Sequence, residues 1–212
     1  MTTATLTPST ISEPILSLCR SICVSQKPMY IQHSPESYAQ VNECFPAVDR
    51  KVRECGGKVF YGWQLWEWPD VLLEAEFHAV WLSPENELVD VTPKPSKLEK
   101  ILFLPDPSIR YDGKQVNNIR VPLSNNPLTR DLVGICDAIF RIQNKGDRAN
   151  QSALSLEGPE AQLHQWLQET RLFVLQMLES GLTHNNLCPC NSGKKYKACH
   201  GRKLEKKLAR VW

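Results

Sequence analysis

The sequence predicts an α+β protein that ends in a small cysteine-rich segment. Three observations support this prediction. Apolar residues recur at helical spacing within residues 11–55 and again within residues 128–179. Residues 58–123 instead carry aromatic and β-branched runs that are separated by turn signals, as is typical of strands. Three cysteines and a histidine then follow within residues 188–200.

The N-terminal part is predicted to contain two helices and one short strand. Residues 1–10 are Thr-rich and are expected to be disordered. Residues 11–24 place apolar side chains on one helical face, and residues 29–31 form a short apolar strand. Residues 44–55 also repeat at helical spacing, and Gly56 is a stop signal for that helix.

The central part is predicted to form a sheet, and two further helices follow it. The expected strands are residues 58–67, 73–82, 87–91, 101–104 and 116–123. The expected helices are residues 128–142 and 159–179, and Gly181 ends the second one. We therefore expect one α+β domain at residues 11–181.

Length and composition allow one moderate domain with an appendage. The chain has 212 residues, of which 42% are hydrophobic and 23% charged, as in ordinary globular proteins. A net charge of +2 gives no reason to expect overall affinity for nucleic acid. We find no apolar run long enough to span a membrane. A secretory signal requires basic residues before its apolar stretch, and none precedes the first apolar stretch of this chain. A reducing compartment also suits unpaired cysteines, so we expect a cytoplasmic location.

The C-terminal segment carries a complete set of metal ligands. Cys188, Cys190, Cys199 and His200 follow the spacing C-x-C-x8-C-H. Three thiolates and one imidazole form a ligand set for one tetrahedral zinc ion, with no position left open for a substrate. The sequence therefore predicts one structural Zn²⁺ here and places any chemistry elsewhere in the chain.

This segment resembles the SEC-C motif, the zinc-binding tail of the SecA preprotein translocase, which is also appended to many other bacterial proteins. The four ligands match the motif, as does the basic stretch Gly193-Lys194-Lys195-Tyr196-Lys197, whereas Asn191 stands where glycine is commoner. The resemblance implies a zinc-binding motif at residues 185–203. It does not extend to the motor, because the chain lacks a G-x-x-x-x-G-K-[ST] phosphate loop. In the motor, this tail contacts a secretory chaperone and ribosomes.

Positive charge is concentrated around this segment. Residues 194–210 hold eight lysines or arginines and a single acid, Glu205. We expect a basic tail at residues 204–212, and a contact surface for a protein partner or a ribosome at residues 188–210. The alternative is that the zinc ion only holds a short tail in a folded state. With Tyr196 as the single aromatic among the basic groups, electrostatic contact with RNA is plausible but sequence-specific binding of nucleic acid is not expected.

A candidate catalytic group lies upstream of this segment. Cys44 begins a predicted helix, where the helix N-terminus favours a reactive thiolate. A three-residue hairpin loop at residues 84–86 would set residue 80 opposite residue 90, so that His78 and Asp90 share one face within side-chain reach. The opposite face would hold Phe77, Trp81, Val89 and Val91. A carboxylate that orients an imidazole, which in turn activates a thiol, is the arrangement of a cysteine acyl-transfer enzyme.

Residues 42–93 also resemble the transglutaminase-like branch of the papain-like enzymes. In that family a nucleophilic cysteine at a helix start is followed by a His-Ala-Trp-like strand and then by Asp-Pro-Thr. The matching segments here are His78-Ala79-Val80-Trp81 and Asp90-Val91-Thr92-Pro93. The resemblance implies a papain/transglutaminase-like core, a helix packed on an antiparallel sheet, with Cys44, His78 and Asp90 as its catalytic residues.

The chain departs from the family pattern at several positions. Asn42 and Glu43 stand where a glycine is expected before the nucleophile, and one valine is inserted before Trp81. An oxyanion formed during catalysis needs hydrogen-bond donors. The backbone N–H of Cys44 is one candidate, and the second is the side chain of either Gln40 or Asn42.

Two functions remain open from the sequence. In the first, the chain is a cysteine hydrolase or acyltransferase that acts on amide bonds. In the second, it is a catalytically inactive, zinc-dependent adaptor. The sequence does not specify the oligomeric state.

The other cysteines outside the zinc set are poorer candidates for a nucleophile. Cys19 and Cys23 lie four residues apart on an apolar face, and Cys136 lies inside a core stripe. Cys55 lies at a helix C-terminus, where the dipole disfavours a thiolate. Surface or structural positions are expected for His33, His164 and His184. Core positions are favoured over a ligand groove for Trp63, Trp66, Trp68 and Trp81.

Overall fold

The structure, a computed structural model, describes residues 5–150, 154–209 and 211. Its strands are β1 (Met29–His33), β2 (Lys58–Trp68), β3 (Leu72–Leu82), β4 (Leu88–Asp90), β5 (Lys100–Pro105) and β6 (Ile119–Pro122). Its α-helices are α1 (Glu13–Ile22), α2 (Cys44–Cys55), α3 (Pro127–Gln143), α4 (Gly158–Glu179) and α5 (His200–Leu208). Within the described ranges, none of these helices has both the length and the apolar character that crossing a bilayer requires.

Five strands close into a barrel. β2 pairs with β3 along its whole length, and its other edge pairs with β5. β5 then pairs with β1, β1 with β4, and β4 with β3, which completes the ring. The β1–β4 pair is parallel and the other pairs of the ring are antiparallel. β6 pairs with the first part of β3, outside the ring.

The β3–β4 hairpin has the register that its turn predicts. Trp81 pairs with Val89, the backbone N–H of Ser83 donates to Glu87 O at 2.9 Å, and Asn86 takes the left-handed conformation with φ of 67°. Continuing this register sets residue 80 opposite residue 90. The predicted hairpin is therefore confirmed, and it places His78 and Asp90 on the same face.

Two helices cover the outside of the barrel. α1 packs Ile15 and Leu18 against strand residues that include Phe77, and α2 packs Val48 against Ala79. The other face of these strands turns inward and forms a separate apolar cluster of Ile31, Val80, Ile101 and Phe103. His78 and Asp90 lie on this inner face, and the outer face holds Phe77, Trp81, Val89 and Val91, as predicted. Of these, Phe77 packs with α1, and the other three pack with α2.

The remaining helices form a second layer on the barrel. α3 packs along α4, and α5 packs on α3. Their buried residues form one apolar cluster with Trp68 and Leu72 of the barrel, so the helical layer and the barrel share a core. Cys188, Tyr196 and Leu204 of the C-terminal segment belong to the same cluster.

The predicted α+β class is confirmed, with small differences in the bounds of elements. The last predicted strand, residues 116–123, is shortened to β6, because the pairing with β3 spans only Ile119–Pro122. The side chain of Asn117, just before it, donates a hydrogen bond to Asp137 on α3 at 2.9 Å. Residues 1–4 of the predicted disordered lead lie outside the described residues. Within the described part of that lead, Leu6 forms an antiparallel bridge with Glu67.

We predict that Gly62→Ala destabilises the fold, because β2 passes very close to β5 at this glycine. A Cβ atom added there would lie 2.2 Å from the backbone oxygen of Leu104 and 2.5 Å from the ring of Phe103. We expect the free energy of unfolding in urea to fall by about 3 kcal/mol, as for an overpacked core. Gly134→Ala, where the added Cβ meets only the flexible end of Leu208, is the control and should change it by less than about 1 kcal/mol.

Candidate functional site

Asp90 is the centre of a buried polar cluster. Its side chain is 0% exposed and its two oxygens have four partners. His78 Nε2 lies 2.9 Å from Oδ1, and the backbone N–H of Thr92 donates to the same oxygen at 3.2 Å. His33 Nδ1 lies 3.0 Å from Oδ2, and Lys94 Nζ lies 3.2 Å from it.

Strand pairing explains how these side chains meet. The β3–β4 hairpin brings His78 to Asp90, so the contact expected from the hairpin register is present. The parallel pairing of β1 with β4 sets His33 directly beside Asp90. Lys94 lies in the loop after β4, where its Nζ also donates to Oε1 of Gln64 at 2.7 Å and lies 3.4 Å from His78 Nε2.

Two members of the cluster were not found by sequence reasoning. His33, expected at a surface or structural position, has a side chain that is only 4% exposed. Its contact depends on a parallel pairing between strands far apart in the chain, which no local pattern reveals. Lys94 lies in a Pro-rich loop, where a lysine is usually exposed to solvent.

The cluster carries strong electrostatic effects. Burial raises the pKa of Asp90, but His78, the hydrogen bonds from His33 and His78, and Lys94 outweigh it and hold that pKa well below its usual range. Burial and Lys94 lower the pKa of His78, whereas Asp90 and the negative charge of Cys44 raise it, with a net value of about 9. The geometry therefore favours an ionised Asp90 beside a protonated His78 at neutral pH.

A cavity of about 330 Å³ connects this cluster to the helical layer. His78 and Thr92 line it on the barrel side, Cys44 lines it from the start of α2, and Cys136 and Arg171 line it on the side of α3 and α4. The cavity lies along the middle of β3, between the residues that pair with β6 and those that pair with β4. Cys44 and His78 thus face one space, although among the described residues no hydrogen bond joins the thiol to the ring.

The two candidate oxyanion donors lie in different places. Asn42, in a left-handed conformation with φ of 66°, lines the cavity together with Cys44. Gln40 lines a separate surface depression beside Pro46 and Arg50. Only the first of the two is placed near Cys44 and His78.

Three of the four tryptophans of β2 and β3 are core residues, as the sequence favoured, whereas Trp81 is only partly buried and its indole N–H donates to the backbone oxygen of Gly56 at 2.9 Å. Trp63, Trp66 and Trp68 are all less than 10% exposed. The indole N–H of Trp63 donates to Asp106 at 3.0 Å, and that of Trp66 donates to Glu76 at 2.8 Å. Their polar ends are therefore satisfied inside the protein.

A second group of side chains forms the candidate metal centre. One potential ligand atom from each of Cys188, Cys190, Cys199 and His200 lies within 4.8 Å of the others. The Cys188 sulfur lies 3.2 Å from His200 Nδ1, and the sulfurs of Cys190 and Cys199 are 3.5 Å apart. A tetrahedral zinc ion with these ligands needs edges of about 3.5–3.8 Å. The cluster therefore fits one structural zinc ion.

The candidate metal centre packs against α4 and α3. The ring of His200 stacks on Trp166 at a centroid distance of 5.7 Å and meets the edge of Phe173 at 5.1 Å. His184 Nε2 contacts Asp131 of α3 at 2.9 Å, so this histidine has the structural position expected for it. The ligand residues are thereby fixed to the helical layer rather than held on a free tail.

We predict that Asp90→Asn destabilises the protein by about 3–5 kcal/mol, because His33, His78 and Lys94 lose their shared counter-charge in a buried site. The raised pKa of His78 stabilises the fold below about pH 6.5, and this contribution is lost as the pH rises through about 9. The lowered pKa of Asp90 stabilises the fold above about pH 3.8, and this contribution is lost on acidification. Both are present at pH 5–6, where urea unfolding should be measured.

Asp49→Asn, which changes an exposed carboxylate on α2, is the matched control and should have little effect. Equal stability of the two variants would show that the Asp90 cluster does not hold the strands together.

We also predict one zinc ion per chain, measured by atomic emission after dialysis. Cys190→Ser should lower the metal content at least severalfold, because serine is a poor zinc ligand. Because Cys188 and Cys199 share the core of the helical layer, removal of zinc with a chelator should also lower the melting temperature. Cys55→Ser, at an exposed cysteine outside the cluster, should retain both properties; full metal content in Cys190→Ser would contradict the ligand assignment.

Comparison with known proteins identifies the C-terminal segment. The family model of the SEC-C motif matches residues 185–202, which include all four clustered ligands. No curated protein and no solved structure matches the chain. The resemblance of residues 42–93 to transglutaminase-like enzymes has no support from these comparisons. Residues 185–202 of this chain are therefore a SEC-C motif, and Cys188, Cys190, Cys199 and His200 form its zinc-binding cluster.

Proposed function

We propose that residues 11–181 form a cysteine hydrolase or acyltransferase that acts on amide bonds, with a papain/transglutaminase-like core. Cys44 is the nucleophile, His78 the general acid and base, and Asp90 the group that orients His78. One observation carries this proposal: His78 is held by a buried carboxylate, at 2.9 Å, in a cavity that Cys44 also lines. The SEC-C motif at residues 185–203 and the basic tail at residues 204–212 are separate, non-catalytic parts.

The position of Asp90 on the imidazole supports this assignment. Asp90 contacts Nε2, so Nδ1 is the ring nitrogen available to a thiol. Cys44 is the first residue of α2, where the helix dipole stabilises a negative charge. The raised pKa of His78 keeps its ring protonated at neutral pH, which is the form that donates a proton to a leaving amine.

The chemical steps follow from these positions. The Cys44 thiolate attacks the carbonyl carbon of the amide, and the carbon–nitrogen bond breaks as His78 gives its proton to the leaving amine. The result is a thioester on Cys44. Water or a second amine then attacks the thioester while His78 accepts the proton of the attacking group, and the thiolate leaves.

Stabilisation of the intermediate oxyanion is assigned to two donors. The backbone N–H of Cys44 lies in the first turn of α2, where N–H groups have no acceptor within the helix. The side chain of Asn42 lines the same cavity and supplies the second donor. Gln40 is the weaker choice because it lines a different depression.

A second candidate function is a catalytically inactive, zinc-dependent adaptor. The observation that favours it is Lys94, whose Nζ lies 3.2 Å from Asp90 and 3.4 Å from His78. The positive charge of Lys94 neutralises part of the negative charge of Asp90. Asp90 therefore stabilises a protonated His78 less than it would without this lysine. In this case a protein partner or a ribosome binds the basic surface at residues 188–210, where Lys203 and Lys206 are exposed on α5. Contact with nucleic acid there would be electrostatic and not sequence-specific.

A cytoplasmic location fits either function. All eight cysteines are unpaired, and zinc thiolates and a catalytic thiol both require reducing conditions.

The reaction of Cys44 with iodoacetamide tests the proposal. An ordinary exposed thiol reacts about a hundredfold more slowly at pH 6 than at pH 8, because its thiolate fraction falls with pH. We expect the rate at Cys44 to fall less than about threefold over this range, since protonated His78 stabilises the thiolate. Above about pH 9, where His78 loses its proton, amide cleavage should decline because the leaving amine lacks a proton donor.

His78→Ala should remove this behaviour, whereas His164→Ala, which changes a histidine on α4, should leave it unchanged. Cys55, exposed at the other end of α2, is the reference thiol in the same sample. If Cys44 follows the pH profile of Cys55 and does not respond to His78→Ala, the enzymatic proposal is wrong and the adaptor is the better account.

A further inference from the structure

Two residues that line the cavity beside Cys44 each carry a buried polar atom that lacks a partner within the described ranges. Thr92 is 1% exposed, and its hydroxyl has no hydrogen-bond partner there. The Nε atom of Arg171 is also buried and also lacks a partner. Both residues line the cavity, Thr92 on the barrel side and Arg171 on the side of α4. Buried polar groups are nearly always paired, so two such residues at one cavity point to a ligand that this space receives.

The other charged groups of the cavity already have partners. Lys94 contacts Asp90 and Gln64. Arg120 contacts Glu74 at 2.8 Å and Asp137 at 3.5 Å. Glu76 lines the cavity too, and it accepts the indole N–H of Trp66. Among the ion pairs of the described residues, Arg171 takes part in none, so it is the cation left for a ligand.

We propose that Arg171 binds a carboxylate of the substrate, so that the preferred substrate is a small amide with a free carboxylate at one end. This proposal rests on the proposed function, because it uses the same cavity. The two terminal nitrogens of the guanidinium, which are not among the buried atoms without partners, lie side by side and match the two oxygens of a carboxylate. Thr92, next to the Asp90–His78 pair, lines the part of the cavity that receives the amide portion.

The size of the cavity agrees with this class of substrate. A space of about 330 Å³ is at the lower end of the range for small-molecule sites. The cavity accommodates a short acyl-amino acid or the end of a peptide. A longer polypeptide does not fit inside it and would extend out of its opening. Arg171 is thus a specificity-determining residue, and the distance from Arg171 to Cys44 selects the length of the substrate.

The test uses pairs of alkylating probes that differ only in charge. Bromoacetyl derivatives of glycine, β-alanine, γ-aminobutyrate and ε-aminocaproate are each compared with the corresponding carboxamide. The Cys44 sulfur displaces bromide from either member of a pair, and peptide mass spectrometry gives the rate at each cysteine. The measured quantity is the ratio of acid rate to amide rate at Cys44, relative to the same ratio at Cys55.

For one probe length, we expect this relative ratio to be about tenfold, as for a charge-assisted hydrogen bond. Arg171→Gln should reduce it to about one, and Arg171→Lys should retain part of it. Arg130→Gln, which removes an exposed arginine on α3, should leave it unchanged and controls for the general field of the protein. Thr92→Val should slow the acid and the amide equally, so that their ratio stays the same. Melting temperatures confirm that each variant is folded.

The outcomes separate this proposal from the catalytic one. A ratio near one for every probe length, or a high ratio that survives Arg171→Gln, overturns the assignment of Arg171. The ratio does not depend on how fast Cys44 reacts. A tenfold ratio at an otherwise ordinary thiol would therefore support the carboxylate site while contradicting catalysis. Fast alkylation with a ratio near one would do the reverse.

Discussion

The buried carboxylate of Asp90 is the interaction on which the arrangement of the barrel depends. A charge with no exposed surface requires partners, and Asp90 takes them from β1, from β3 and from the loop after β4. His33 lies 57 residues from Asp90 in the chain, His78 lies 12 and Lys94 four, and the carboxylate joins all three at one point. β4 is short, and its ladder with β3 has only two residue pairs. The bonds of Asp90 therefore add to the few backbone bonds that hold β4 in place between β1 and β3. The same bonds that hold the strands also fix the orientation of His78.

Local chemistry made much of this structure predictable. The turn at Pro84-Glu85-Asn86 sets the β3–β4 register, and this register brings His78 to Asp90. The four zinc ligands lie within one short segment, so their spacing alone identifies them. His33 and Lys94 were not predictable in this way. The first depends on a non-local parallel pairing and the second on a loop that folds back over the barrel. The helical wall of the cavity depends on the packing of α3 and α4 on the barrel, which amphipathic patterns do not specify.

The SEC-C motif and the cavity are connected through α4. Trp166 and Phe173 of this helix hold the ring of the zinc ligand His200, and Arg171, between them in sequence, lines the cavity. The metal centre and the candidate active site therefore lie on two sides of one helix. The position of this helix depends on an apolar cluster to which Cys188, Tyr196 and Leu204 also contribute. A structural zinc ion at this place supports the wall of the cavity as well as its own motif.

The shared core of the helical layer has a consequence for the order in which the protein is made. Trp68 and Leu72 emerge from the ribosome early, whereas Tyr196 and Leu204, which complete the same cluster, are synthesised more than a hundred residues later. The barrel has all of its strands before α3 begins, so it is able to fold during synthesis. α3 and α4 are able to pack on each other and on the barrel, but the part of their apolar surface that Cys188, Tyr196 and Leu204 cover stays open until the SEC-C motif has emerged and folded around its metal. In the nascent chain, zinc supply therefore determines how long this surface is open to aggregation or to chaperones.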